Sequence, residues 1–219
     1  MCGKQNKGRE AGMEANKIFL TLNKYALGFL FIFNGLYGQK IASGDYGFGL
    51  KLAYNSKTNK LSGYFENYTG WDESTNSPRF SCIFYLEGIA ESNTFKIKTY
   101  YPGDKLADVI EGTCEIVNSN SINIKLPKEH GGCWNVQHFA DEPVKFALEK
   151  AIQLVDIRYV VVNKTYFHSQ NTASKKQKAY IIKNNIVCVE KLEGDWAFCA
   201  YYGKKTTKGW IKTSDLNKL

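Results

Sequence analysis

The chain has 219 residues, enough for one domain of ordinary size or two small ones. It carries 29 Lys and Arg against 21 Asp and Glu, a formal charge of +8, and 43% of its residues are hydrophobic. No repeat at a period of roughly 20–50 residues and no low-complexity tract occurs, which excludes repeat arrays and composition-biased linkers.

The first element in chain order is a leader. Lys17-Ile-Phe-Leu-Thr-Leu-Asn-Lys24 supplies positive charge and Tyr25–Phe33 a short apolar run. Asn34-Gly-Leu-Tyr-Gly38 then supplies turn and small residues, completing the charged, apolar, small-residue order of a secretory signal peptide. Cleavage is expected after Gly38, with 1–38 removed. A bilayer span needs about 20 apolar residues, so no stable membrane span is expected after the leader is lost. A buried core helix, or an uncleaved anchor over Ile18–Leu36, are the alternatives. The polar stretch Met1–Gly12 fits poorly before a leader, so translation is expected to begin at Met13, which would omit Cys2. No small-residue box ending in cysteine follows the apolar run, so a lipoprotein is not expected.

After Gln39 the chain reads as strands and turns. Gly47–Tyr54 alternates and ends in the turn cluster Asn55–Asn59, and Leu61–Tyr68 follows as its hairpin partner. Thr69–Pro78 reads as a polar loop. Phe80, Cys82, Phe84 and Leu86 share one face of a strand. Thr94–Tyr101 alternates apolar and polar residues, the pattern of a half-buried strand. Pro102-Gly-Asp is a turn, and Val109–Val117 and Ser121–Leu126 flank Asn118-Ser-Asn as another hairpin. Asp141–Gln153 is the best helical candidate, although a strand through Leu148 followed by a linker is preferred. These short strands, closely spaced, predict an antiparallel β-barrel or sandwich over 39–153.

A boundary falls near Leu154–Ile157, and 157–219 forms a second β unit. Tyr159–Val162, Thr165–Ser169, Ala179–Ile182, Ile186–Lys191 and Trp196–Tyr202 are its strands. Gln170–Lys178 is a polar, basic loop, and Gly209-Trp-Ile211 closes the unit. Ile157–Leu219 holds twelve basic and four acidic residues, whereas Gln39–Asp156 holds twelve and fifteen. The basic half is expected to face an anionic partner or the other domain. For an exported protein nucleic acid is a poor candidate; an anionic wall polymer, a membrane surface or an acidic protein fits better.

Asn184-Asn-Ile-Val-Cys-Val189, Gly194-Asp-Trp196 and Lys208-Gly-Trp-Ile-Lys-Thr-Ser-Asp-Leu216 carry a resemblance. Over roughly Arg158–Leu216 the chain resembles bacterial Src-homology-3-like (SH3-like) domains, small β-barrels common in exported proteins. Those domains run from a first strand through a long loop to a short strand and a Gly-Asp-like turn. A hairpin with Trp on its second strand and a turn into Gly-Trp-Val follow. This chain has His168-Ser-Gln-Asn171 where many members have Arg-Ser-Gly-Pro, so ligand specificity does not carry over. The resemblance implies a periplasmic or secreted binding module, with recognition expected at Tyr166, Phe167, His168, Trp196, Tyr202, Lys204, Lys205 and Trp210. The partner would be a cell-wall polymer or an envelope protein.

Residues 39–219 hold Cys82, Cys114, Cys133, Cys188 and Cys199. In an oxidising compartment disulfides are the default reading, and an odd number leaves at least one thiol over. A two-residue turn at Glu193-Gly194 would set Cys188 opposite Cys199 and allow a bridge. Cys82–Cys133 is the second expected bridge, with Cys82–Cys114 and Cys114–Cys133 left open. Glu129-His-Gly-Gly-Cys-Trp134 is the one cluster that invites a catalytic reading. A thiol–imidazole pair is normally assembled from distant segments, and no helix N-terminus carries Cys133. The glycines instead suit a tight turn with Trp134 packing inward. No enzyme, catalytic residue, cofactor or metal site is expected: His130, His138 and His168 lack paired spacing, and Asp72-Glu73 reads as a solvated tip. Gly44-Asp-Tyr-Gly-Phe-Gly49 precedes a strand and not a helix, so it is no phosphate loop. Two further roles remain open. One is an inhibitor or immunity protein against a wall-degrading enzyme, with Glu129–Trp134 or Thr69–Pro78 as the blocking element. The other is an accessory subunit of a hydrolase.

Overall fold

The computed structural model describes residues 41–101 and 108–218. Every described residue belongs to one compact unit that begins at Gly38. The expected leader and the Pro102-Gly-Asp turn lie outside the described residues. Among those residues the protein is mostly β, without an α-helix, and is built from two antiparallel sheets. No helix among them is long and apolar enough to cross a membrane.

The first sheet has nine strands: β1 (Gly44–Asp45), β2 (Leu50–Asn55), β3 (Lys60–Asp72), β4 (Ser77–Glu91), β5 (Thr94–Tyr100), β6 (Ile110–Asn118), β7 (Ser121–Lys125), β8 (Val144–Ala147) and β9 (Lys150–Ala151). Consecutive strands pair as a meander from β1 to β8, and β9 returns to β1. The segment Val144–Ala151 therefore serves both edges of the sheet and curls it back on itself. Between its two strands, Leu148 N–H donates to Asn120 O (2.7 Å) and Glu149 N–H to Asp45 O (2.9 Å). This segment is the stretch that sequence offered as a helical candidate.

Alternation decides which side chains enter the core. On β5, Phe95, Ile97 and Thr99 are buried while Lys96 and Lys98 are exposed. The inner face gathers Phe65, Phe84, Phe139 and Phe146 in edge-on and stacked contacts of 5.1–6.2 Å. Each such ring removed from water contributes about 1.5–3 kcal/mol. His130 stacks on Phe84 at 5.2 Å. The Thr99 hydroxyl gives its single proton to Ile110 O (3.0 Å), so His130 Nε2–H is the donor in the 2.8 Å contact with Thr99 Oγ1.

Thr69–Pro78, expected as a loop, is mostly strand. The β3–β4 pairing continues to Trp71↔Pro78 and Asp72↔Ser77, leaving only Glu73–Asn76 as the turn. At Gly70, φ +66°, the ladder is interrupted between Thr69↔Phe80 and Trp71↔Pro78 without a change of register. Asp72 Oδ1 accepts Ser74 N–H, and Asp72 Oδ2 pairs with Arg79 at 2.9 Å. β2 pairs with β3 only as far as Phe65, and β5 with β4 only from Tyr85. The far part of the hairpin is thus a two-stranded arm beyond the sheet.

The second sheet has seven strands: β10 (Asp156–Val160), β11 (Lys164–His168), β12 (Lys176–Ile182), β13 (Ile186–Glu193), β14 (Trp196–Tyr202), β15 (Thr206–Lys212) and β16 (Leu216–Lys218). Their order across the sheet is β12-β11-β15-β14-β13-β10-β16. A 3₁₀ turn at Thr213–Asp215 joins β15 to β16. Its Asp215 accepts the Thr165 hydroxyl (2.7 Å), and Thr213 N–H donates to Asp195 O (2.8 Å), tying the turn to β11 and to the β13–β14 turn. Val160, Phe167, Val189, Ala197, Cys199 and Ile211 fill the core.

A third cluster joins the sheets. Tyr85 stacks on Tyr159 (5.6 Å) and meets Tyr64 (5.5 Å), with Leu154, Ile157 and Cys188 buried beside them. The Ser62 hydroxyl donates to Asp156 Oδ1 (3.2 Å) and accepts Ile157 N–H (3.1 Å). Arg158, 5% exposed, pairs with Asp156 at 3.0 Å, which keeps its buried charge compensated.

The cysteines split between confirmation and correction. Cys82 and Cys133 form a disulfide across 51 residues. Cys114, Cys188 and Cys199 are free and buried. The expected Cys188–Cys199 bridge fails on register. The turn takes Gly194-Asp195 rather than Glu193-Gly194, and Glu190 is an extra residue between Val189 and Lys191. Cys199 therefore lies opposite Val189, in the core of the second sheet, while Cys188 lies opposite Ala200, in the cluster between sheets. A one-residue offset places two side chains on opposite faces, out of reach of a bond. Burial pushes the Cys188 thiol up to about 12 and raises Cys199 as well, so both stay protonated at neutral pH.

Candidate functional site: an aromatic and lysine face

The outer face of the second sheet is laid down by the same alternation. β11 buries Thr165 and Phe167 and turns Lys164, Tyr166 and His168 outward. On β12, Lys176, Lys178 and Tyr180 share that face, because Tyr166 lies opposite Tyr180 and His168 opposite Lys176. His168 also lies opposite Trp210 on β15, and Trp210 opposite Phe198 on β14. Trp196 completes the row two residues before Phe198. The result is an aromatic stripe across four adjacent strands.

The stripe is locked by ring contacts. Phe198 meets Trp210 at 5.3 Å, His168 meets Trp196 at 4.9 Å, and Tyr166 meets Tyr180 at 6.0 Å. His168 Nδ1–H donates to Thr172 O (3.0 Å), which anchors the ring against the following loop. At the β12 side the ammonium of Lys164 sits 3.9 Å from the Tyr180 ring centre, and that of Lys176 3.6 Å from Tyr166. These are cation–π distances. Lys164 also holds the Tyr166 hydroxyl below its ordinary value through a hydrogen bond. On the other flank Lys208 pairs with Glu190 at 2.6 Å. Such a face offers flat apolar rings for stacking and clustered ammonium groups for anions.

The sequence-selected residues do not all belong here. Tyr166, His168, Trp196 and Trp210 are brought together on the stripe. Phe167 is a correction: it is fully buried in the core. Adjacent strand residues point to opposite faces, so Tyr166 and Phe167 cannot share a surface. Tyr202, Lys204 and Lys205 lie at the β14–β15 turn, where Tyr202 faces Lys51 of the first sheet at 5.7 Å. Tyr180, Phe198 and Lys164 were missed, although period-two spacing from Lys176 through Lys178 and from Trp196 was their signal.

The Glu129–Trp134 cluster carries no free thiol, since Cys133 is bonded to Cys82. His130 is buried, and desolvation holds its pKa below the ordinary value. Trp134 is a second correction. It is 60% exposed, against His138 at 4.5 Å, because its neighbour Cys133 takes the inward position. It stands near the β3–β4 arm, whose Thr69 hydroxyl donates to Asn135 O (2.7 Å), and Trp71 and Phe80 on that arm are also exposed. Among the described residues no group of three His, Cys, Asp or Glu side chains converges to hold a metal ion.

Searches of protein-family models, of characterised proteins and of solved structures return no match to this chain.

Proposed function

We propose that the protein is exported and acts by binding, docking an anionic cell-wall polymer or an acidic envelope protein through the outer face of its second sheet. The observation that carries this reading is the stripe Tyr180–Tyr166–His168–Trp210–Phe198–Trp196 flanked by Lys164, Lys176 and Lys178. Rings and ammonium groups held at contact distance supply stacking area together with charge. The surplus of basic residues in 157–219 extends the attraction beyond contact range. An SH3-like identity for this sheet is supported by its order: first strand, a β11–β12 arm, β13, the Gly194-Asp195 turn, then a hairpin ending in Gly209-Trp210. Export rests on the leader-like 1–38, and the Cys82–Cys133 bond suits an oxidising compartment. Co-sedimentation with purified wall material tests the proposal. The protein is expected to pellet with the wall, and Trp210→Ala or Lys164→Glu/Lys176→Glu to reduce the bound fraction several-fold. Unchanged pelleting of folded variants would sink it.

One observation favours a second reading, inhibition of a wall-degrading enzyme. The β3–β4 arm presents Trp71 and Phe80 on the face from which Thr69 reaches Asn135, next to Trp134, each at least 40% exposed. The disulfide tethers Trp134 to β4. Residues of this kind on a rigid projection act as interface anchors. Inhibition of a lysozyme or amidase that is lost in Trp71→Ala but kept in Trp210→Ala would establish it over the docking role.

A further inference from the structure

A second recessed surface lies between the two sheets, away from the aromatic stripe. It is a groove of about 510 Å³, within the size range of small-ligand sites. One wall is β3, where alternation turns Tyr64, Glu66 and Tyr68 outward from a core that receives Phe65. Lys51 of β2 stands beside them. The opposite wall is the Asn184-Asn185 turn together with Tyr201 and Tyr202. Neither Trp196 nor Trp210 lines it.

The charges of the groove are already answered within the protein. Glu66 accepts the Tyr64 hydroxyl through Oε2 (2.6 Å) and the Tyr68 hydroxyl through Oε1. Lys51 pairs with Asp45 at 3.0 Å. Burial and Glu66 raise both tyrosine hydroxyls, so they remain protonated donors. Asn185 Oδ1 accepts Ile182 N–H (3.0 Å), which orients the amide with its NH₂ as the remaining donor. An anionic ligand would meet Glu66 and a cationic one Lys51. What the walls present is tyrosine faces interleaved with neutral or internally paired hydrogen-bonding groups.

We infer that this groove binds a neutral saccharide, its ring C–H faces against Tyr64 and Tyr202 and its hydroxyls on Tyr68, Glu66 and the Asn184-Asn185 turn. It is a separate site from the polymer-docking face, and either assignment can fail without the other.

The test is a titration of the protein, from Gln39 onward, by calorimetry and by amide NMR shifts. Three tetrasaccharides serve as probes: N-acetylglucosamine (neutral), glucosamine (cationic) and galacturonate (anionic). The neutral probe is expected to bind saturably and to shift the amides of Gly49, Asn184 and Gly203. Tyr202→Ala should weaken it about tenfold or more, the loss typical of an aromatic anchor, and Trp210→Ala should leave it unchanged. Tyr68→Ala, also at an exposed position, repeats the test if Tyr202→Ala does not fold, folding being read from the free spectrum. Tighter binding of either charged probe, absence of saturable groove shifts, or shifts confined to the residues around Trp210 would each overturn the inference.

Discussion

The Cys82–Cys133 bond is expected to hold a large share of the stability of the first sheet. It closes a loop with a sequence separation of 51. In the chain-entropy description, the conformational entropy removed from the unfolded state amounts to about 14 cal/mol/K for such a loop, or ~4 kcal/mol at 25 °C. Whole domains are stable by only about 5–15 kcal/mol. The bond also fixes the 3₁₀ turn at Cys133–Asn135, from which Asn135 holds Thr69 of the arm. The variant to make is Cys82→Ala/Cys133→Ala, since serine would leave two hydroxyls in positions that are fully buried. Urea unfolding followed by far-ultraviolet circular dichroism should show a loss of about 3–5 kcal/mol relative to the oxidised protein. Reducing agent should produce a similar loss in the wild type. Mass mapping without reductant should find Cys82 joined to Cys133, and Cys114, Cys188 and Cys199 labelled only after unfolding. A loss under about 1 kcal/mol, or a bridge between Cys188 and Cys199, would refute the reasoning.

Other expectations follow from the core and from the junction of the sheets. His130 is neutral in the fold, with its pKa lowered by burial despite the nearby Asp108 carboxylate. The unfolded chain therefore takes up a proton first, and stability should fall as pH drops below about 6.5 toward the lowered folded value, by at most about 1.4 kcal/mol per pH unit. Urea midpoints across that range should show the slope, and His130→Phe should flatten it. Ser62→Ala should cost about 1–2 kcal/mol, because it removes the hydroxyl that bonds both Asp156 and Ile157 N–H in a buried position. Tyr85→Phe, by contrast, should change stability by less than about 0.5 kcal/mol, because the buried Tyr85 hydroxyl has no hydrogen-bond partner among the described residues.

Sequence legibility followed the range of the physics involved. Local alternation identified β5 and the β2–β3 and β6–β7 hairpins, because burial of one face acts within a single strand. The Cys82–Cys133 bond was legible only as one of three pairings. The β3–β4 arm was not legible: its Thr69-Gly-Trp-Asp72 lacks an apolar face, and the Asp72–Arg79 pair that links its two strands depends on their register. The expected Cys188–Cys199 bridge fails because the turn lies one residue later, at Gly194-Asp195, and a bulge at Glu190 then moves the two side chains to opposite faces; neither leaves a mark in residue type. The stripe was half legible. Its tryptophans stood out, but Tyr180 and Phe198 join it through strand register, and Phe167 leaves it for the same reason. The tyrosine junction of Tyr64, Tyr85 and Tyr159 depends on contacts between distant segments, which no window of sequence contains.

Tryptophan fluorescence offers the most direct measurement of the docking face. The chain has four tryptophans, and Trp71→Phe/Trp134→Phe leaves only Trp196 and Trp210 as reporters, both on the stripe. Titration of this variant with a purified anionic wall polymer should give a saturable change in emission. The apparent affinity should weaken as salt rises, since attraction between exposed charges is screened over about 8–10 Å at 0.1–0.15 M. An emission spectrum that stays constant through the titration, in protein shown to be folded, would contradict docking at this face.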